Sequence, residues 1–208
     1  DGKVTVIDLS DKKTKWVFQA EAPVFAVPVI ADKRVYVASS DRSLYCLDQE
    51  TGERMWRQRA DAPLNTPPAI AEGRVFQGVP GLGLVVLEAN SGKFLWRYPE
   101  DGDFLGELEG HIFLLTGQGS RRVVRLNAAT GKEEGSVEVG MVLTAVGHKS
   151  DRSVLLASQT GELVCLRSKK APRLKPAELA EVLRNDQKMR LLQGAAAKLA
   201  AKAEEKKA

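Results

Sequence analysis

Three tryptophans stand 40 residues apart in this chain of 208 residues, at Trp16, Trp56 and Trp96. Each follows a polar segment, which is clearest in DQETGERMW (48–56) and EANSGKFLW (88–96). The residue that opens the segment recurs at steps of 40, 40 and 39: Asp8, Asp48, Glu88 and Asn127. A fixed period of this length is typical of solenoids, propellers and arrays, and it constrains the fold more than any single motif does.

The residues between the tryptophans show the signals of β-strands throughout. In one copy, KRVYVASS (33–40), RSLYCLD (42–48) and ERMWRQR (53–59) are short runs with apolar and aromatic residues, separated by polar turns. Four such runs fit into each period of roughly 40 residues, and no helical stretch lies between them. The pattern predicts antiparallel meanders of four strands, which is the composition of one propeller blade.

The turn before each tryptophan has a mechanism that follows from its residue types. An aspartate such as Asp48 accepts backbone N–H groups in an Asx-turn, and a glycine supplies the positive φ that other residues rarely adopt. Gly52, Gly92 and Gly131 take this position, whereas Lys12 takes it in the first copy at a cost on the order of 1 kcal/mol. The hairpin then places the tryptophan on the outermost strand, where a ring that buries about 200 Å² is expected to dock on the neighbouring blade.

The motif Leu-Asp-x-x-Thr-Gly-x-x-x-Trp at 47–56 resembles the PQQ-like repeat of quinoprotein-type β-propellers, and the resemblance covers residues 1–167. In that family a tryptophan-docking motif links successive blades. The family includes quinoprotein alcohol dehydrogenases, which are enzymes, and BamB-like propellers of outer-membrane assembly, which are not. In character the chain resembles the BamB-like, non-enzymatic members.

The strand signals predict an all-β fold of about four and a half four-stranded blades. They consist of two leading strands, three full blades and three further strands: 3–8 and 14–20, then 24–59, 64–99 and 104–139, then 141–167. Since propellers of this family commonly have seven or eight blades, the resemblance implies part of a larger propeller, with a split or assembled propeller as the other interpretation. The copies decay toward the end, because Gly135 stands where a fourth tryptophan is due.

The character of the sequence changes after residue 167. Residues 168–175 form a basic linker with prolines, and residues 176–208 predict an amphipathic helix with a charged tail. Val182, Met189 and Leu192 lie on its apolar stripe. Two interpretations stay open: a helix that packs on the propeller or lies in solvent, and a helix that docks on a protein partner or an anionic membrane surface.

Charge is divided unevenly along the chain. Residues 1–168 carry 20 Lys and Arg against 22 Asp and Glu, a net charge of −2, while residues 169–208 carry 11 against 5, a net charge of +6. The repeats therefore indicate no nucleic-acid partner. The longest apolar runs, such as 84–87 and 112–115, are far too short to span a bilayer, so any membrane association would be peripheral and would use the basic tail.

The residue types offer little for catalysis. By resemblance, an enzyme of the quinoprotein kind needs PQQ and a Ca²⁺ ion held by carboxylate and amide oxygens, often with adjacent cysteines at the cofactor. Cys46 and Cys165 are not adjacent; they occupy equivalent strand positions, which a small buried structural role explains. His111 and His148 are isolated and predict neither a metal cluster nor a catalytic triad. We expect no catalytic, cofactor-binding or metal-binding residue, and PQQ and Ca²⁺ only if the chain is part of a dehydrogenase.

Two arginines beside a repeat tryptophan are candidate partner contacts. Arg57 and Arg59 share one face of their strand, next to Trp56, and indicate either a solvated blade edge or a contact patch for an acidic partner. The favoured interpretation is a non-enzymatic scaffold for protein–protein interaction, which the BamB-like resemblance would place in a bacterial periplasmic or envelope assembly. Two alternatives stay open: the C-terminal part of a PQQ-dependent quinoprotein dehydrogenase, and an extracytoplasmic propeller that senses a ligand.

Overall fold

A computed structural model of the protein describes residues 1–117, 120–140, 142–148, 153–158 and 163–167. The described residues form 17 β-strands in five antiparallel sheets, and they contain no helix. The all-β prediction is therefore confirmed for this part of the chain. The predicted linker and C-terminal helix, including Val182, Met189 and Leu192, lie outside the described residues.

The first sheet has two strands and the second has four. Their bounds are β1 (Lys3–Ile7) and β2 (Thr14–Gln19), then β3 (Val29–Ala31), β4 (Arg34–Ser39), β5 (Ser43–Asp48) and β6 (Arg54–Arg59). In both sheets each strand pairs with the next strand along the chain, in antiparallel orientation. The second sheet is thus the four-stranded meander that the repeat predicts.

The third and fourth sheets repeat this arrangement, and a sheet of three strands follows. The third sheet comprises β7 (Ala69–Ala71), β8 (Arg74–Val79), β9 (Gly83–Glu88) and β10 (Phe94–Tyr98). The fourth comprises β11 (Gly102–Leu108), β12 (His111–Thr116), β13 (Arg121–Asn127) and β14 (Glu133–Gly140), and the fifth β15 (Val142–His148), β16 (Ser153–Ser158) and β17 (Leu163–Arg167). The described strands are distributed over the sheets as the strand signals predict, while the blade number of a complete propeller stays a prediction.

The middle strands of the second sheet are buried on both faces. In β4, residues 35–38 are all buried, and in β5 residues 44–47 are all buried. Because neighbouring sheets cover both faces, the sequences of these strands are continuous apolar runs and do not alternate between apolar and polar residues. In the outer strand β6 only Trp56 is buried, so the sheet is polar along its outer edge.

Hydrophobic clusters join consecutive sheets through alternate residues of the same strands. Val37 and Tyr45 belong to a cluster with the first sheet, whereas their chain neighbours Tyr36 and Cys46 belong to a cluster with the third. This follows from the period of two in a strand, which sends successive side chains to opposite faces. A third cluster joins the third and fourth sheets, and a smaller one includes Leu156 of β16. The sheets are therefore held together mainly by burial of their facing surfaces.

Cys46 is a free thiol that is 0% exposed, which confirms its predicted burial. Burial raises the pKa of this thiol from 9.0 to about 11. Because the thiolate is the nucleophile, this change alone lowers the reactive fraction about a hundredfold at mildly alkaline pH. In a Cys165→Ser variant, we expect a thiol reagent to react with Cys46 at least about a hundredfold more slowly in buffer than in denaturant. The absorbance of the chromophore that the reagent releases gives the two rates. Equal rates in buffer and in denaturant would contradict the burial of Cys46.

Candidate functional site

The turns that open the repeat are fixed by side-chain and backbone hydrogen bonds. The carboxylate of Asp48 accepts the N–H groups of Glu50 and Thr51, each at 2.8 Å, and these bonds, led by that from Thr51, lower the pKa of Asp48. Gly52 closes the turn with φ at 74° and donates its N–H to the Asp48 carbonyl at 2.9 Å. In the first copy Lys12 holds the same conformation, with φ at 58°. The positive φ expected at this position is present with or without glycine.

The other three openings use different side-chain contacts. Asn127 reproduces the Asp48 pattern, since its Oδ1 accepts the N–H groups of Ala129 and Thr130 at 3.0 and 3.2 Å. Glu88 has a longer side chain and instead accepts a hydrogen bond from the hydroxyl of Ser91. Asp8 accepts the N–H of Ser10 at 2.8 Å. Four different sequences therefore produce one turn.

Each tryptophan reaches the corresponding turn of the following sheet. The indole N–H groups of Trp16, Trp56 and Trp96 donate to backbone carbonyls at 2.9, 3.0 and 3.0 Å. The acceptors are the second residues of the next turns: Gln49, Ala89 and Ala128. All three indoles are nearly buried, with exposures of 8%, 9% and 7%. Each ring thus satisfies its polar atom while it covers apolar surface between two sheets.

The glycine of each turn lies directly under the indole of the preceding sheet. A Cβ built on Gly52 would lie 2.5 Å from Cδ2 of Trp16, and one on Gly92 would lie 2.7 Å from Cδ2 of Trp56. Gly131 has the same relation to Trp96. The positive φ therefore favours glycine here, and the close approach of the ring requires it. The tryptophans and turn glycines thus act in packing between sheets, whereas the turn-opening residues act in hydrogen bonds within each turn.

The side chain of Arg57 is held by contacts within the chain. Its Nη1 and Nη2 donate to the two carboxylate oxygens of Glu21 at 2.5 and 2.8 Å, and its Nε donates to the Ser43 hydroxyl at 2.9 Å. The guanidinium also lies 5.1 Å from the ring centroid of Tyr45. The hydrogen bond from Arg57 lowers the pKa of the Glu21 carboxyl. With its side chain 19% exposed, Arg57 has little surface left for a partner.

Arg59 is exposed and lines a groove between the second and third sheets, with a volume of about 340 Å³. Its apolar floor includes Leu44 and Leu64, each 1% exposed, and Leu87, 2% exposed. Polar side chains of both sheets also line it: Gln58, Arg59, Asp61, Gln77 and Arg97. An apolar floor with a few polar groups is the usual form of a binding site, and this volume lies near the lower end of the roughly 300–1,000 Å³ range.

Within the described ranges, no three His, Cys, Asp or Glu side chains come together as a metal site. His111 lies 3.0 Å from a carboxylate oxygen of Glu134 at the edge of the fourth sheet. The described part of the chain also contains no helix of the length and apolarity that crossing a membrane requires.

The repeat sequence identifies the family. The family model described as outer membrane protein assembly factor BamB matches residues 1–99 and, in a second overlapping match, residues 43–169. The chain belongs to this family. Its predicted membership of the PQQ-like propeller repeats is thereby confirmed, and the meander sheets are consistent with BamB-like blades. A search of curated proteins found no match.

Solved structures share the BamB-like fold. BamB from Moraxella catarrhalis matches with a TM-score of 0.64 at 18% identity, over 79% of this chain and 56% of that one. The computationally designed Ika8 protein matches with a TM-score of 0.62 at 14% identity, over 81% and 53%. The quinohemoprotein alcohol dehydrogenase ADHIIG from Pseudomonas putida HK5 matches with a TM-score of 0.56 at 14% identity, over 74% and 34%. The chain thus spans little more than half of the BamB structure, and these identities show the fold alone.

Apart from Arg59, the groove residues were not singled out in the sequence. The signal that could have found them is a difference between copies: Val85 stands 40 residues after Tyr45, so one inter-sheet space has a small side chain where another has a ring. Glu21, the partner of Arg57, was missed because it lies 36 residues away in a connecting segment.

Proposed function

We propose that this chain is a non-enzymatic β-propeller scaffold that binds a protein partner in a bacterial envelope-associated assembly. The observation that carries the proposal is the match to the family described as outer membrane protein assembly factor BamB, which spans residues 1–169. The proposal includes a periplasmic or envelope location. It also gives the basic tail, with Val182, Met189 and Leu192, the role of a second contact to a partner or an anionic membrane surface.

The contacts of the repeat support a scaffold. The most distinctive side chains, such as Trp56 and Asp48, are used in packing and in turn formation between sheets. Such a frame keeps its surface grooves and loops in a fixed relation, and partner recognition on rigid folds commonly uses these exposed features. The groove beside Arg59 is a surface of this kind.

A dehydrogenase is the second candidate, and the structural likeness to a quinohemoprotein alcohol dehydrogenase favours it. PQQ with Ca²⁺ would require several carboxylate and amide oxygens around one ion. Within the part of the chain that the structure describes, the acidic side chains do not gather in this way. A dehydrogenase would therefore need amide oxygens or further residues to complete such a site. A ligand-sensing propeller would use the same groove for a small molecule.

Reversing the charge of Arg59 tests the scaffold. We expect Arg59→Glu in the intact chain to weaken retention of a co-purified, cross-linked partner at least about tenfold, since a contact patch for an acidic partner loses its charge match. The unfolding midpoint should not change, because Arg59 is exposed. Arg54→Glu is the matched control, with the same charge change on the exposed first residue of β6.

Three results would count against the scaffold. The first is an intact chain that purifies without any partner even after cross-linking. The second is equal loss of partner in Arg54→Glu and Arg59→Glu, which would indicate a general charge effect. The third is tight binding of PQQ and Ca²⁺ together with dye-linked alcohol oxidation, which would favour the dehydrogenase. Deletion of residues 169–208 measures the contribution of the tail in the same assay.

A further inference from the structure

The outer part of the space between the first and second sheets is closed by side chains of this chain. The rings of Phe18 and Tyr45 meet edge to face, with centroids 4.9 Å apart. Arg57 covers the Tyr45 ring and forms its two-point ion pair with Glu21. An aromatic ring, a guanidinium and a carboxylate together fill this space.

The space between the third and fourth sheets is closed by the same three kinds of group from different positions. Tyr98, 5% exposed, donates its hydroxyl to Glu133 at 2.7 Å. Arg122 donates to Glu133 at 3.0 Å and to Glu100 at 2.5 Å. Two of the three spaces between these four sheets thus contain an internal cluster of ring, arginine and carboxylate.

The space between the second and third sheets holds the charged members of the cluster but no ring at the two equivalent positions; the exposed Phe94 also lines the groove. The step of 40 residues puts Gln58 in the position of Phe18 and Val85 in the position of Tyr45. It puts Asp61 and Arg97 in the positions of Glu21 and Arg57: Glu21 lies in AEAP (20–23), and Asp61 in ADAP (60–63). Val85 pairs with Arg97 in the same strand register as Tyr45 with Arg57. The groove of about 340 Å³ lies here.

The arginine and the carboxylate of this groove are not joined to each other. Among the described residues, the side chains of Arg97 and Asp61 form no hydrogen bond or ion pair, and both residues are exposed. Asp61 is one methylene shorter than Glu21. Gly83 replaces Ser43, and a Cβ on Gly83 would collide with the Tyr98 carbonyl, so no serine can anchor Arg97 as Ser43 anchors Arg57. The close backbone at Gly83 therefore excludes one anchor of the internal cluster, and the side chains at 58, 61 and 85 lack the others.

We propose that this groove binds a segment of a partner protein that presents an aromatic side chain next to an acidic one. The inference rests on the proposed scaffold function. The partner's ring would pack on the apolar floor beside Val85, as Tyr45 packs against Phe18, and its carboxylate would pair with Arg97, as Glu21 pairs with Arg57. Arg59 and Arg97 against Asp61 give the groove an excess of positive charge, which complements an acidic residue. The partner segment would thus supply the ring and the carboxylate that the chain itself supplies between its first and second sheets.

A peptide titration tests the groove without the natural partner. The probe is a short acetylated and amidated peptide with adjacent glutamate and tyrosine, added to the ¹⁵N-labelled intact chain. We expect amide shifts confined to the groove, at Gln58, Asp61, Val85 and Arg97, with a Kd on the order of 1 mM. Replacing the tyrosine of the peptide by alanine, or its glutamate by lysine, should weaken binding at least about tenfold. Similar affinity for all three peptides, or no shifts in the groove, would overturn the proposal.

Two variants of the chain make the test specific. Val85→Tyr restores a ring where Tyr45 has one and should abolish peptide binding while leaving the unfolding midpoint unchanged or raised. Arg97→Glu changes an exposed side chain and should reverse the preference, so that the lysine peptide binds better than the glutamate peptide. If Val85→Tyr destabilises the fold, the peptide preference of Arg97→Glu still tests whether the groove binds the acidic residue. Unreversed preference in Arg97→Glu would reject the role of this arginine.

Retention of the natural partner by the variants distinguishes failure of the groove proposal from failure of the scaffold function. If Arg59→Glu loses the co-purified partner but Val85→Tyr and Arg97→Glu retain it fully, the scaffold stands and the groove proposal fails. If the unaltered chain retains no partner, the scaffold fails, and the peptide titration decides the groove independently. Loss of the partner in both groove variants, with unchanged unfolding midpoints, supports the proposal.

Discussion

Replacing Trp56 by alanine is expected to lower the free energy of unfolding by about 3–5 kcal/mol, the range for truncation of a buried aromatic side chain. The indole is 9% exposed, belongs to the cluster between the second and third sheets, and donates to the Ala89 carbonyl at 3.0 Å. Truncation removes apolar contact from both sheets at once and leaves a cavity above Gly92. Urea denaturation followed by circular dichroism measures the loss.

The control for this variant lies next to it on the same strand. Met55 is 48% exposed, so Met55→Ala should change the free energy of unfolding by no more than about 0.5 kcal/mol. Hydrogen exchange adds a second readout, because Trp56→Ala should lower protection in both sheets together. A loss below about 1 kcal/mol, or loss of protection in one sheet only, would show that the indole does not couple them.

Replacing Gly92 by alanine is expected to be nearly as damaging, although it adds only one methyl group. Gly92 has φ at 71°, where an L-residue costs about 1–2 kcal/mol. The added Cβ would lie 2.7 Å from Cδ2 of Trp56, so the ring must move or the turn must open. Overpacking of this kind costs a further 1–3 kcal/mol or so, and we expect a total of about 2–5 kcal/mol.

Gly73 separates the two causes. Its φ is also 71°, but a Cβ there would meet nothing within 4 Å. Gly73→Ala should therefore show only the conformational cost of about 1–2 kcal/mol. Equal losses of stability in Gly73→Ala and Gly92→Ala, measured by the same denaturation, would mean that the contact with Trp56 adds no strain. A double variant, Gly92→Ala with Trp56→Ala, should cost less than the sum of the two single changes.

The repeat made much of this architecture predictable. A residue that recurs at a fixed step has the same local turn and the same neighbour in every copy, so the sequence around Asp48 and Trp56 predicts both a hairpin and an outer strand. The positive φ of Lys12 followed from its position alone. The close approach of a ring to Gly92 did not follow from the position of this glycine, because the ring belongs to the preceding copy, 36 residues earlier.

The candidate site was less predictable because it depends on differences between copies. Arg57 and Arg59 look alike in the sequence, yet one is held by Glu21 and the other lines the groove. Which of the two is engaged depends on a carboxylate in a distant connection. Val85 carries no motif, and its importance becomes visible only when its position is compared with that of Tyr45 across a sheet interface.

The contacts between tryptophans and turns all run in one direction, from each sheet to the one that follows it in the chain. These contacts therefore couple the stability of each described sheet to its nearest neighbours. This resembles a one-dimensional array, whose stability is a sum of unit and interface terms. The whole sequence has three tryptophans, and Gly135 takes the fourth position, so the series of such interfaces stops at the fourth sheet. Damage to one interface should consequently divide the array into two cooperative blocks and not weaken all sheets alike.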